Sequence, residues 1–235
     1  MKVFIFSDME GVAGIVKPQQ TDGTVADTAY HEGRHLYTQE INAAVRGAKS
    51  AGAKEIVVMD CHGAGKHWSF NSLIPEELDA DCEFVVQESW TEYTDFLEQG
   101  CDAALFVAMH ARAGTPDGVM SHTVSGTAWR ELRFNGTLVG ETGINAALCG
   151  NWGCPVLLVT GDEAVCREAT ELLGDGLTTV AVALAVVLAA RALPPMAMAP
   201  NTQETRMASP NRHTVTMDLS NMSTSDPYSA ANIYN

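Results

Sequence analysis

Residues 2–11 read KVFIFSDMEG, an apolar run that ends in two carboxylates. The pattern recurs twice, because residues 55–63 read EIVVMDCHG and residues 103–112 read AALFVAMHAR. Short runs rich in Val, Ile and Phe that stop at polar residues are typical of buried strands in a parallel sheet. Ligands of open α/β sheets bind just beyond the carboxyl ends of the strands. The three endings therefore predict one polar cluster of carboxylates and imidazoles at one edge of a sheet.

Strands and helices alternate along most of the chain, which predicts a layered, three-layer-like α/β fold with a mostly parallel sheet. Residues 30–51 carry apolar side chains at helical spacing between the first two predicted strands, and such a crossover favours parallel pairing. An Asn135-Gly136 turn predicts a hairpin between residues 132–134 and 137–139. Further strands are predicted at residues 82–86 and 155–160, and further helices at residues 90–99, 141–147 and 163–173.

The end of the chain differs in composition, which predicts a catalytic α/β metal-binding domain at residues 1–176 and a C-terminal segment at residues 177–235. Residues 178–192 are apolar and rich in alanine, and they are predicted to start as a strand and continue as a helix. Prolines between residues 194 and 210 predict a linker. Alternating apolar residues predict a last strand at residues 213–219. The fold class is thus completed by a short C-terminal β-containing appendage, either a small subdomain or an assembly element.

Composition and charge restrict the class of function. The chain is 46% hydrophobic and 18% charged, as in ordinary globular proteins, and its net charge of −15 argues against nucleic acid or an anionic membrane as a partner. Six cysteines without a CxxC pair are typical of a reducing compartment. The apolar run before Asp8 is too short for a signal peptide, and residues 180–190 are too few for a membrane span. A cytoplasmic protein is the expectation.

Two carboxylates, Asp8 and Glu10, stand one residue apart directly after the first predicted strand. In an extended chain both side chains point to the same side, and a bound dication relieves their repulsion. Gly11 permits a sharp backbone turn next to a ligand. A helix-capping Asp8 with a solvated Glu10 would explain the same residues without a metal.

The second predicted strand ends on Asp60 and His62, again one residue apart. Histidine together with carboxylates suits zinc, manganese or iron, whereas magnesium and calcium prefer oxygen ligands. Asp60 is alternatively a supporting residue that holds a histidine in the required tautomer. His67, in the following loop, is interpreted as a solvent-exposed residue.

The third predicted strand ends on His110, His122 follows across a turn rich in Pro and Gly, and Glu141 opens a predicted helix. Each has an ordinary explanation: a core or surface histidine, or a carboxylate placed against the helix dipole. Together with His62 and the two carboxylates after the first strand, they could hold two adjacent metals if one carboxylate bridges them. Such a pair activates water and clamps a carbonyl or phosphoryl oxygen. His122 would then be free for acid–base or covalent chemistry, and the residues predict a metal-dependent hydrolase without naming the bond.

Five blocks occur in a fixed order along the chain. They are SDMEG at residues 7–11, DCHG at 60–63, HARA at 110–113, VMSH at 119–122 and VGETGIN at 139–145. Together they resemble the signature blocks of the D-aminopeptidase DppA family, the M55 metallopeptidases, and the resemblance covers roughly residues 1 to 175. It implies a dinuclear zinc enzyme that removes N-terminal D-amino acids, typically D-Ala, from short peptides and amides.

The same resemblance implies which residues hold the two zinc ions. Asp8 would bridge them. Glu10 and His62 would complete one site, and His110 and Glu141 would complete the other.

His122 matches the residue to which the family assigns the role of nucleophile. A metal-activated water, with His122 as the acid or base, fits the same residues. The family also implies a homo-oligomer, a decamer of two stacked five-membered rings, that admits short D-amino-acid peptides and excludes folded proteins. Two other interpretations stay open: a metal-dependent amidase or phosphoesterase with another substrate, and a non-catalytic metal-stabilised binding protein.

Overall fold

A six-stranded sheet forms the centre of the structure, a computed structural model that describes residues 1–24, 27–65, 68–89, 94–183 and 213–217. The strands are β1 (Lys2–Ser7), β2 (Glu55–Asp60), β3 (Glu83–Val85), β4 (Ala103–Met109), β5 (Trp129–Phe134), β6 (Thr137–Val139), β7 (Val156–Gly161), β8 (Thr178–Ala181) and β9 (His213–Met217). The α-helices are α1 (Asp27–Ser50), α2 (Thr94–Leu97), α3 (Glu141–Asn151) and α4 (Glu163–Leu173).

The strand order of the main sheet is β3-β2-β1-β4-β7-β8, and all neighbours are parallel. The register places Ser7 of β1 opposite Asp60 of β2 and Val107 of β4. The sheet grows from β1 first toward β3 and then, from β4 onward, in the opposite direction. A crevice forms at the carboxyl ends of the strands where the order reverses. The predicted polar cluster therefore lies where the topology favours a ligand.

Helices cover both faces of the sheet, which makes three layers. Successive side chains of a strand point to opposite faces, so Phe4 and Phe6 pack on one face while Val3 and Ile5 pack on the other. The fully buried Tyr37 of α1 belongs to the second of these cores, and residues of α3 and α4 belong to the first. Burial of each large apolar side chain contributes about 2 kcal/mol to stability. The predicted layered α/β fold is confirmed.

A second sheet of three strands, in the order β6-β5-β9, lies outside the main sheet. β5 and β6 form the predicted antiparallel hairpin, and Asn135 and Gly136 at its turn have φ values of 50° and 85°. Two positive φ angles are the geometry for which Asn-Gly turns are favoured. β9 pairs in parallel with β5, so the strand predicted at residues 213–219 is present over residues 213–217.

Some predicted elements differ in their bounds. α1 begins three residues earlier than predicted, and α3 continues to Asn151. The helix predicted at residues 90–99 is described only from Thr94 to Leu97. Outside the described residues lie the linker at 194–210, the helix predicted after β8, and His67. The division at residue 176 stays a prediction; β8, which starts at Thr178, is the edge strand of the main sheet.

Within the part of the chain that the structure describes, no helix is both long enough and apolar enough to cross a membrane.

Candidate metal centre

Asp8 lies at the centre of the polar cluster, immediately after β1. Its Oδ1 is 3.4 Å from Nδ1 of His62, and its Oδ2 is 3.3 Å from Nε2 of His110. All three side chains are almost completely buried. His62 and His110 follow β2 and β4, the two neighbours of β1, so the parallel pairing brings one histidine to each side of the carboxylate.

A second carboxylate accompanies each of these histidines. Oε2 of Glu10 is 3.0 Å from Nδ1 of His62, and Oε1 of Glu141 is 3.3 Å from Nε2 of His110. The structure thus brings together all of the residues that the sequence placed at the site. Two groups of three residues could each hold a metal ion, because the donor atoms within each group lie within 4.8 Å of one another. The groups are Asp8, Glu10 and His110, and His110, His122 and Glu141.

Backbone carbonyls set the tautomer of all three histidines. A carbonyl oxygen only accepts, so the ring nitrogen bonded to it must carry the proton. In the neutral ring the other nitrogen then offers its lone pair toward the carboxylates, which is the form that binds a metal. The bonds run from His62 Nε2 to Thr21 O (2.7 Å), from His110 Nδ1 to Ala111 O (3.0 Å) and from His122 Nδ1 to Met120 O (2.9 Å).

Three buried atoms of the cluster have no hydrogen-bond partner among the described residues: Asp8 Oδ2, Glu10 Oε2 and His110 Nε2. Each lies 3.0 to 3.3 Å from an oppositely polar atom, but not in hydrogen-bonding geometry. A buried unsatisfied polar group costs about 1–3 kcal/mol, and more if it is charged. Atoms that converge without bonding one another are suited to share a cation. Carboxylates and imidazoles form a donor set that zinc accepts, so the residues fit a zinc centre.

The pKa values of the cluster show the same need for positive charge. Burial raises the pKa of Asp8, but the close approach of His110 and His62 to its carboxylate outweighs burial and holds that pKa well below 3.8. Burial lowers the pKa of His62, but Glu10 and Asp8 raise it well above 6.5. His110 behaves in the same way, because Glu141 and Asp8 outweigh burial. Without a metal, protons on the imidazoles supply the charge that the carboxylates demand.

These pKa directions predict opposite pH dependences for the metal-free and zinc-loaded protein. A lowered carboxylate pKa stabilises the fold above about pH 3.8 and a raised imidazole pKa stabilises it below about pH 6.5. In EDTA, the contribution of the cluster to stability should therefore fall as pH rises from 6.5 through the raised pKa of His62. Zinc displaces those protons, so zinc-loaded protein should instead gain stability over the same interval. Melting temperatures from pH 5 to 9 test this, and parallel curves with and without zinc would contradict it.

A bulge at the end of β4 brings the loop after β1 into place. The pairing of β4 with β7 shifts register between Phe106 and Met109, and Ala108 has a φ of 63°. Bulges re-aim strand ends beside functional sites. The Ala108 carbonyl accepts a hydrogen bond from Gly11 N at 2.9 Å. A Cβ at Gly11 would lie 2.0 Å from the Met109 carbonyl oxygen, so only glycine permits this approach.

Val124 holds Glu141 in place through its backbone. Its N–H donates to Glu141 Oε1 at 2.8 Å, the oxygen that also faces His110 and His122. The φ of Val124 is 59°, an outlier for a β-branched residue, and such strain is commonly found at functional sites. Sequence reasoning missed this residue, because nothing in a valine side chain signals a left-handed backbone.

Asp60 supports the cluster from below. The Thr21 carbonyl, and not Asp60, sets the tautomer of His62; Asp60 instead holds the backbone at that position. Burial raises the pKa of Asp60, and the hydrogen bonds that its carboxylate accepts oppose this rise. The donors are the backbone N–H groups of His62 (3.1 Å), Ser72 (2.5 Å) and Leu73 (3.0 Å) and the hydroxyl of Tyr37 (3.1 Å).

A cavity of about 380 Å³ opens beside the cluster, and His122 lies in its wall. The His122 ring stacks on His110, with centroids 4.0 Å apart and planes 12° apart. Its Nε2 is 3.6 Å from Glu141 Oε1, and its side chain is 24% exposed, whereas His110 is 1% exposed. His122 therefore touches both the cluster and the space for a substrate, as an acid–base residue must. Trp68 and Phe70 form an aromatic part of the same wall.

The fold and the cluster define a class: α/β proteins with a carboxylate–histidine cluster, suited to bind metal, at the carboxyl edge of a parallel sheet. The chain belongs to the M55 peptidase family, whose model is described as D-aminopeptidase and matches residues 1–230.

Two comparisons agree with this assignment. The chain is 36% identical over 186 residues to a D-aminopeptidase of Bacillus subtilis (strain 168), a match that covers 77% of this chain and 63% of that protein. The structure of the Zn-dependent D-aminopeptidase DppA from Bacillus subtilis, described as a self-compartmentalizing protease, superposes with a TM-score of 0.69 at 34% identity. That superposition also covers 77% of this chain and 63% of the other. The chain thus spans less than two thirds of the length of these relatives.

Proposed function

We propose that the protein is a dinuclear zinc aminopeptidase that removes N-terminal D-amino acids, of the D-Ala type, from short peptides or amides. In this proposal Asp8 would contribute to both zinc sites, Glu10 and His62 would complete one site, and His110 and Glu141 would complete the other.

The observation that carries the proposal is the position of Asp8 between two histidines. Its two oxygens face different rings, at 3.4 Å and 3.3 Å, and each ring has a further carboxylate of its own. A single mononuclear site would need only one such pair. Family membership and the relative described as Zn-dependent support the choice of zinc.

The chemistry divides between the metals and the chain. Two zinc ions, when bound, would polarise the scissile carbonyl and lower the pKa of a water molecule. The chain holds the carboxylates and rings in place through the backbone bonds of Thr21, Ala111 and Val124. His122, on the cavity side, serves as nucleophile or as the acid–base residue that moves a proton to the leaving amine.

The cavity favours a peptide or amide over a phosphoester. No lysine or arginine belongs to its lining among the described residues, whereas sites for phosphoryl groups commonly use such cations. Three carboxylates offset three of the four positive charges that two zinc ions carry, so the loaded centre does not demand a strongly anionic substrate. A volume of about 380 Å³ suits a small ligand. The preference for D-configuration rests on the family.

The test is metal-dependent turnover on matched stereoisomers. Purified protein should contain about two zinc ions per chain, lose them with activity to a chelator, and regain both on zinc addition. It should cleave D-alaninamide and D-Ala peptides faster than their L counterparts by about tenfold or more. Peptides of increasing length measure how far the cavity extends.

The outcomes separate the proposal from its alternatives. Equal rates on L-Ala substrates would remove the D-specificity and leave a metallopeptidase. Cleavage of amides but not peptides would favour a metal-dependent amidase. Full zinc occupancy without hydrolysis of peptides, amides or phosphoesters would favour a metal-stabilised binding protein.

Assembly is part of the proposal. The relative described as self-compartmentalizing supports a homo-oligomer whose interior admits short peptides. The decamer implied by the family resemblance, and a cytoplasmic location, stay predictions.

A further inference from the structure

Helix α3 brings a second polar side chain to the cavity. Asn145 follows Glu141 by four residues, so both lie on the same face of the helix, one turn apart. Both line the cavity, and Asn145 is only 3% exposed.

The carboxamide of Asn145 makes no hydrogen bond to any residue that the structure describes. Asn42 shows how this chain otherwise treats a buried amide, since it is 5% exposed and fully bonded. Its Nδ2 donates to the Glu77 carbonyl and its Oδ1 accepts from Asp79 N, both at 2.7 Å. A buried amide without a partner costs about 1–3 kcal/mol. Asn145 avoids that cost because its unbonded amide atoms reach the cavity, where water or a ligand can bond them.

The polarity of the cavity indicates which part of a substrate Asn145 meets. The carboxylates and the free imidazole nitrogens are acceptors, and lysine and arginine are missing from the described lining. The described lining therefore donates only through neutral groups, and one of these, the indole N–H of Trp68, belongs to a side chain that is 64% exposed. The hydroxyls of Ser125 and Thr127 lie 3.3 Å apart and bond each other. A peptide carbonyl oxygen needs a donor, and the Nδ2 group of Asn145 is a free one.

We propose that Asn145 binds the substrate by donating a hydrogen bond from Nδ2 to the carbonyl oxygen of its N-terminal residue. The bond holds the scissile carbonyl against the metal centre and strengthens as negative charge develops on that oxygen. This inference rests on the proposed aminopeptidase function.

Three variants test the inference in the zinc-loaded protein. Asn145→Ala should lower kcat/KM for D-alaninamide about 10²-fold, with zinc content unchanged, because one donor to the reacting oxygen is lost. Asn145→Asp keeps the shape but cannot donate, so it should lose at least as much activity. Asn151→Ala, an exposed position at the end of the same helix, is the matched control and should match wild type. Full activity in Asn145→Asp would show that the amide accepts from the substrate amine, and would overturn the proposal.

Calorimetry in a His122→Ala background gives a readout that does not depend on turnover. Loss of the Asn145 amide should weaken binding of D-alaninamide about tenfold. Binding of (R)-sec-butylamine, which has the amine and methyl group but no carbonyl, should not change. Equal weakening of both ligands, or of neither, would contradict the proposal. If wild type hydrolyses no amide or peptide, the aminopeptidase function fails, while the binding comparison still decides the role of Asn145.

Discussion

Replacing Asp8 with asparagine is expected to remove bound zinc and to lower kcat/KM by about 10⁴-fold. Among the described residues, Asp8 is the one carboxylate within 3.4 Å of both His62 and His110, so its loss damages both halves of the centre. Two metals supply several kcal/mol of transition-state stabilisation, and each 1.36 kcal/mol is tenfold in rate. Zinc analysis by mass spectrometry and steady-state kinetics measure the two quantities on one preparation.

The control is Asp102→Asn, at the opposite end of the sheet. Asp102 precedes β4, is 64% exposed, and its carboxylate contacts Met1 and Lys2 at the start of the chain. The Asp102→Asn protein should retain wild-type zinc content and activity. Two zinc ions per chain in Asp8→Asn would show that Asp8 does not bridge, and a loss of one zinc only would assign Asp8 to a single site.

Replacing His122 with alanine is expected to lower kcat about 10²–10⁴-fold while zinc content stays at the wild-type level. This range is typical for the loss of an acid–base residue. The structure also admits a competing role, because His110, His122 and Glu141 could hold a metal together. The zinc content of the variant distinguishes these roles, because removal of a metal ligand lowers zinc content whereas removal of a proton-transfer residue does not.

His35→Ala serves as the matched control for this experiment. His35 is 58% exposed, bonds Glu77 on the outer surface of α1, and belongs neither to the cluster nor to the cavity lining. It should change neither zinc content nor rate. A His122→Ala protein that loses zinc would make His122 a ligand and remove it as the catalytic residue.

The polar cluster at the sheet edge could be predicted because the types of side chain along the sequence mark both the strands and the residues that follow them. Apolar runs mark the buried strands, and the residues that follow them are Asp8, His62 and His110. Parallel pairing of the strands is sufficient to bring these side chains together at one edge of the sheet. Helix α4 matches its predicted bounds for a similar reason, since Asp162 is an N-cap whose carboxylate accepts from Val165 N.

The remainder of the site was not predictable because it depends on main-chain groups. The carbonyl of Thr21 and the N–H of Val124 make decisive bonds, yet every non-proline residue has the same two groups. No pattern in the sequence predicts the bulge at Ala108 either. Asn145 is an intermediate case: its spacing from Glu141 marks a shared helix face, but only the fold shows that this face borders a cavity.

The three carbonyls that hold the imidazoles have a consequence for how this centre can change. A side-chain partner can be substituted away or titrated, whereas a peptide oxygen survives every point mutation at its own position and keeps accepting in acid. The orientation of the imidazole rings therefore depends on the backbone conformation and not on the identity of any partner side chain. Substitutions of the carboxylates or of the cavity lining can therefore change the preferred metal or substrate without changing the orientation of the imidazole rings.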